Sequence, residues 1–106
     1  VLRLDELARL AKAPRDDVVL VDLRDPIEVS EPSIDHIVHI PFDLVSEHMQ
    51  TLTSGPLPVF FCPTGARAEM AHTLVRQAGG ESRFLASGAI VGNDGELTDG
   101  RPWWAP

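Results

Sequence analysis

The run Val59-Phe60-Phe61-Cys62-Pro63-Thr64-Gly65-Ala66-Arg67 decides how this chain reads. An apolar, β-prone stretch from Leu57 to Phe61 ends at Cys62, and a helical pattern begins at about Ala66, so the thiol falls where a strand gives way to a helix N-terminus. Free cysteines are usually small, buried and inert, but this loop argues for chemistry. Pro63 fixes one dihedral and removes one donor, Gly65 admits a left-handed or closely approaching backbone, and the N–H groups from Thr64 through Arg67 can converge on an anion. The helix dipole and the Arg67 cation both favour a thiolate over a thiol at such a position. Cys62 is therefore the candidate nucleophile, and Arg67 the candidate clamp for an anionic substrate. The alternative for Arg67 is a structural pairing with Asp22 or Glu69, and for Thr64 a cap on the following helix in place of a hydroxyl donated to substrate.

The segments around this loop read as alternating helices and strands. Leu4, Leu7, Ala8 and Ala11 recur at helical spacing, with Asp5 and Glu6 in the first turn and Pro14 as the stop. Val18 to Val21 is a continuous apolar run of the kind a strand covered on both faces requires. Ile37 to Ile40 is a weaker strand ended by Pro41. A helix is expected from about Asp43 to Leu52 with Leu44, Val45, His48, Met49 and Leu52 on one face, closed by Thr53-Ser54-Gly55-Pro56. The helix after the cysteine loop is expected to carry Met70, Ala71, Leu74, Val75 and Ala78 inward until Gly79-Gly80 ends it. Glu81 to Leu85 returns as a strand. This order implies an α/β fold in three layers, α/β/α, around a mainly parallel central sheet of about five strands. Sites in open sheets of this kind lie outside the carboxyl ends of the strands, where Cys62, Asp22 and Arg24 all fall.

Length and charge narrow the functional classes. The chain has 106 residues, 43% of them hydrophobic, enough for one compact domain and too few for two. We expect a core over residues 1–89, with residues 90–106 as a tail that packs on or extends the same domain, Trp103 and Trp104 pinning it to the core rather than binding a ligand. Nine Lys and Arg against sixteen Asp and Glu give a formal net charge of -7, which disfavours nucleic acid and anionic membrane surfaces as partners. No apolar stretch approaches a transmembrane length, and no basic segment precedes an apolar signal core. A single cysteine excludes an internal disulfide and suits a reducing compartment, so a cytoplasmic location is expected. His36, His39, His48 and His72 lack a cysteine at ligand spacing, which argues against a metal site. His72, about three helical turns from the loop, should point away from the thiol.

The run Cys62-Pro63-Thr64-Gly65-Ala66-Arg67 resembles the Cys-x-x-Gly-x-Arg loop of rhodanese-like sulfurtransferases. Val18-Val19-Leu20-Val21-Asp22-Leu23-Arg24-Asp25-Pro26-Ile27-Glu28-Val29 is similar to the family's first signature, an apolar strand ending in Asp-x-Arg. Phe84-Leu85-Ala86-Ser87-Gly88-Ala89 resembles its later strand followed by Gly-Gly, with Ser87 in place of the first glycine. Val29 stands where the family has an aromatic residue, and most of the family's Gly-His-Ile-Pro-Gly-Ala segment is replaced. The resemblance spans about Val1 to Ala89 in the family's order. It implies a rhodanese-like fold and two-step sulfur transfer through a persulfide on Cys62, with no cofactor. Pro63, Thr64, Gly65, Ala66 and Arg67 would then form the substrate-binding loop. The expected partners are a small-molecule sulfur donor, such as thiosulfate or a persulfide, and a thiol, cyanide or protein-thiol acceptor.

Asp22 is expected to support the loop by bonding its N–H groups or Arg67, and Arg24 to pair with Glu28. Two other functions compete with sulfur transfer. Cysteine phosphatases and arsenate reductases use a Cys-x5-Arg loop, but here the sixth position after the cysteine is Ala68. A non-catalytic or redox-regulatory module of the same family is the other rival, although such modules often lack the cysteine that this chain keeps.

Overall fold

A computed structural model describes residues 3–13, 15–24, 37–86, 88–91 and 97–99. Helix α1 (Leu4–Lys12) leads to strand β1 (Val18–Asp22), and β2 spans Ile37–His39. A 3-10 helix over Phe42–His48 runs into α2 (Met49–Ser54), then come β3 (Leu57–Phe61), α3 (Ala66–Gln77) and β4 (Arg83–Phe84). β5 (Ala89–Val91) and β6 (Leu97–Asp99) complete the described elements.

The central sheet has the order β2-β1-β3-β4, and every pairing in it is parallel. β1 and β3 lie in the middle and pair from Val18↔Leu57 to Asp22↔Phe61, which explains why both are nearly continuous apolar runs. Alternation along these strands sends side chains into two cores. Val21, Phe60 and Cys62 join Val45, Leu52, Ala68, Ala71 and Val75 on the side of α2 and α3. Leu20, Val59 and Phe61 join Leu7, Leu85 and Ala89, with Leu4 and Leu10 of α1 packed against them. Helices on both faces of a parallel sheet give the three-layer arrangement expected from the sequence, with four strands described in the sheet where about five were expected.

Local departures have physical causes. The segment expected as one helix from Asp43 begins instead as a 3-10 helix, whose three residues per turn shift the phase of its side chains. Val45 and Leu52 stay buried while Leu44 is exposed and His48 faces out. On α3, the buried positions Ala68, Ala71 and Val75 define the inward stripe. Met70, one residue and therefore about 100° from Ala71, is turned out and 47% exposed, and Ala78 is likewise exposed. The strand expected over Glu81 to Leu85 is reduced to Arg83–Phe84. An antiparallel pair, β5 with β6, occupies part of the stretch read as tail, and α1 packs beside β6. Trp103, Trp104, Glu28, Val29 and His36 lie outside the described residues.

Candidate active site

Cys62 follows directly on β3 and is fully buried. Three strand-end hydrogen bonds fix the backbone that delivers it. Leu23 N–H donates to the Phe61 carbonyl at 3.1 Å, Leu85 N–H to that of Phe60 at 3.1 Å, and Ala89 N–H to that of Cys62 at 3.0 Å. The thiol thus rests on a frame tied to both neighbouring strand ends.

The loop after Cys62 turns at Gly65, the residue that caps α3, with φ of +87° in the left-handed region. There its N–H points back to the sulfur and donates to Cys62 Sγ at 3.1 Å. The turn leaves no room for a side chain, because a Cβ on Gly65 would overlap the Ala86 carbonyl oxygen and lie 2.7 Å from its carbon. Gly88, with φ of +83°, presses on the same loop from the other side, where a Cβ would overlap the Pro63 carbonyl. The sequence matched Gly88 only as part of a resemblance. Its role, to let the segment after β4 close against the Cys62 loop, becomes visible through these contacts. Thr64 Oγ1 accepts from Ala66 N–H at 3.5 Å, a long bond at the first turn of α3, so the hydroxyl faces the helix start. Arg67 stands in that first turn, half-buried.

Asp22 and Arg24 form the neighbouring corner. Asp22 is buried at the carboxyl end of β1, opposite Phe61 in the sheet. Its carboxylate accepts from Arg24 N–H at 3.0 Å and takes the guanidinium in a fork, with Nε 3.0 and 2.9 Å from the two oxygens and Nη2 2.6 Å from Oδ2. The guanidinium is thus held on Asp22, two residues away, where a fixed fork meets a carboxylate held by the strand, and the pairing with Glu28 expected from sequence lies outside the described residues. His39, at the end of β2, bonds the Arg24 carbonyl through Nε2. Together these contacts knit the ends of β1 and β2 beside the cysteine loop, a network of which the sequence showed only the Asp-x-Arg spacing.

His72 is engaged elsewhere, as its place on α3 predicts. Its Nδ1 lies 2.6 Å from the buried Ser82 Oγ and its ring 4.9 Å from that of Phe84. Burial and then the Arg76 and Arg83 cations hold its pKa below the ordinary histidine range, against an opposing push from Glu69. Among the described residues no cluster of three or more metal-ligating side chains occurs.

The chain was compared with known proteins. No family model matches it. It is 31% identical over 79 residues to a protein of Allochromatium vinosum named sulfurtransferase, covering 74% of each chain. It is 26% identical over 104 residues to the mitochondrial thiosulfate sulfurtransferase RDL2 of Saccharomyces cerevisiae, covering 86% of this chain and 70% of that one. Among solved structures, the human single-domain sulfurtransferase TSTD1 superposes with a TM-score of 0.62 at 26% identity, over 81% of this chain and 88% of the other. A rhodanese-like domain protein from Staphylococcus aureus shares the fold with a TM-score of 0.70 at 20% identity, over 82% and 84%. With its strand-loop-helix cysteine site and these relatives, the chain belongs to the rhodanese-like family of sulfurtransferases.

Proposed function

We propose that this protein transfers a sulfane sulfur from a small donor to a thiophilic acceptor through a persulfide on Cys62. The observation that carries this reading is the Gly65 N–H held 3.1 Å from Cys62 Sγ at the start of α3. A donor in that position makes a charge-assisted bond to a sulfur anion, so it supports the nucleophile before attack and again after turnover. The name of the yeast relative makes thiosulfate the first donor to consider. The Cys62 thiolate attacks the outer sulfur of thiosulfate, the S–S bond of the donor breaks, and sulfite leaves with the bonding electron pair, giving Cys62–S–S⁻. An acceptor such as cyanide or a thiolate then attacks the terminal sulfur and regenerates the thiolate, which makes the reaction ping-pong.

In this reading Arg67 binds the donor's anionic end, and the Pro63-Thr64-Gly65-Ala66 backbone shapes the cradle. Asp22 and Arg24 act through the loop's foundation without touching substrate. A five-bond span from cysteine to arginine suits a single sulfur atom better than a tetrahedral phosphate, which the rival phosphatase loop encircles with one residue more. The single cysteine also fits work in a reducing compartment such as the cytoplasm.

Thiocyanate release from thiosulfate and cyanide tests the reading. The wild type turns over with parallel-line kinetics in the two substrates, and Cys62→Ser abolishes the reaction. Turnover that survives in Cys62→Ser, or a wild type inactive with thiosulfate and with small-molecule persulfides alike, would overturn it.

A further inference from the structure

In the proposed cycle charge leaves Cys62 Sγ in one half-reaction and returns to it in the other, so a hydrogen-bond donor aimed at Sγ does not serve both alike. In loading, Sγ gives its electron pair to the donor's outer sulfur, and its charge falls as the transition state forms. In discharge the acceptor's pair bonds to the outer sulfur, the bond from that sulfur to Sγ breaks, and its pair returns to Sγ. With cyanide the products are thiocyanate and the Cys62 thiolate. A bond to Sγ is therefore stronger in the transition state of discharge than in the persulfide, and weaker in the transition state of loading than in the thiolate. Only the first relation accelerates a step. Cys62 is fully buried, so bulk water does not meet the returning charge, and the Gly65 N–H at 3.1 Å is placed to do so.

What keeps that N–H on the sulfur lies outside the loop. Ala89 N–H donates to the Cys62 carbonyl at 3.0 Å, and Ala89 is buried with Leu7 and Leu85 in the core on the α1 side. Ala89 also opens β5, opposite Asp99 of β6, and β6 lies beside α1. One residue earlier, Gly88 is buried with φ of +83°. A Cβ there would overlap the Pro63 carbonyl and lie 3.1 Å from the Thr64 carbonyl carbon, the atom bonded to the Gly65 nitrogen. Gly65, at the end of the same turn, is stopped in the same way by the Ala86 carbonyl. The peptide that aims the N–H is thus held by two backbone contacts from the segment that links β4 to the β5–β6 hairpin.

We propose that Gly88 is a positioning residue for sulfur delivery. By seating the backbone after β4 against Pro63 and Thr64, it holds the Gly65 N–H where charge returns to Cys62 Sγ, and so speeds discharge to the acceptor rather than loading from the donor. The inference rests on the Cys62 persulfide reading and adds which half-reaction the frame of the loop serves. Any side chain at this position must push the Pro63–Thr64 backbone, and the Gly65 nitrogen is one bond from an atom that would have to move.

The test follows the two half-reactions separately in single turnovers, read by the intact mass of acid-quenched samples. Loading uses saturating thiosulfate, and discharge uses protein already carrying the sulfur, freed of donor and mixed with cyanide. Both are run at a pH on the plateau of iodoacetamide labelling of each variant, where Cys62 is fully thiolate. Gly88→Ala should slow discharge roughly tenfold or more, as weakening a hydrogen bond to a charged atom does, and leave loading within about threefold of wild type. Below the plateau loading slows as well, because less of the sulfur is ionised. Ala89→Gly loosens the same brace without any overlap and should show the same split at smaller size, about threefold in discharge. It decides the matter if Gly88→Ala does not fold. Gly79→Ala carries the same left-handed strain in open space and should leave both half-reactions within about twofold. Equal slowing of both half-reactions, slower loading with unchanged discharge, or unchanged rates in Gly88→Ala and Ala89→Gly would each overturn the inference and leave the persulfide reading standing. A wild type that takes up no sulfur would instead overturn that reading, and this inference with it.

Discussion

Replacing Gly65 by alanine should damage this protein in a way that a matched glycine elsewhere does not. Gly65 and Gly79 have nearly the same backbone, φ of +87° and +86°, so an alanine at either position carries the same left-handed penalty of about 1–2 kcal/mol. Their surroundings differ. A Cβ at Gly79 meets nothing within 4 Å, whereas at Gly65 it overlaps the Ala86 carbonyl, a backbone group that can move only by shifting the segment after β4. Overpacking of this kind adds roughly 1–3 kcal/mol. Gly65→Ala should therefore lose about 2–5 kcal/mol in all, a large share of the ~5–15 kcal/mol that holds a domain together. The assay is thermal unfolding followed by circular dichroism. At this chain length each kcal/mol corresponds to ~4–8 °C, so Gly65→Ala should melt at least about that far below Gly79→Ala. It should also load sulfur more slowly, because any relief of the overlap moves the N–H that donates to Cys62 Sγ. Equal melting temperatures for the two variants would refute the claim that the loop is pressed against Ala86.

Two further outcomes are expected. Asp22→Ala strands the Arg24 guanidinium, only 12% exposed, and should cost about 3 kcal/mol or more in urea unfolding. Arg15→Ala opens the exposed pair with Asp17 and should cost under about 1 kcal/mol; similar losses in the two would show that the Asp22 fork is not a structural anchor. For His72 the folded pKa lies below its unfolded value of ~6.5. The unfolded chain therefore binds more protons in the window between the two values. The contribution of this group is present above pH ~6.5 and is lost as pH falls through the folded pKa. His72→Gln should flatten the decline of stability with acidification in that window, measured by urea unfolding between pH 7 and pH 5; an unchanged slope would show that the imidazole does not titrate as its surroundings dictate.

What could be read before the structure was whatever follows from period and punctuation. β1 and β3 announce themselves because a doubly covered strand must be apolar throughout, and Pro63 to Ala66 mark the loop between β3 and α3 because those residue types suit no strand. Leu44 and Met70 turn outward for separate reasons. Inward direction depends on helical phase, which the 3-10 segment shifts for Leu44, while on α3 the inward stripe is built on the small residues Ala68 and Ala71, which a hydrophobic count ranks below Met70. The fork between Arg24 and Asp22 was not legible from the Asp-x-Arg spacing, since only the strand end shows that this carboxylate is held still. The contacts of Gly65 with Ala86 and of Gly88 with Pro63 join segments some twenty residues apart, and no local pattern encodes them.

The most direct measurement is the intact mass of the protein after incubation with thiosulfate and rapid removal of excess donor. Persulfide formation adds the mass of one sulfur atom to the wild type, located on the peptide containing Cys62, removed by cyanide or dithiothreitol and absent in Cys62→Ser. An unchanged wild-type mass with thiosulfate and with small-molecule persulfide donors, or the same adduct on Cys62→Ser, would contradict the account.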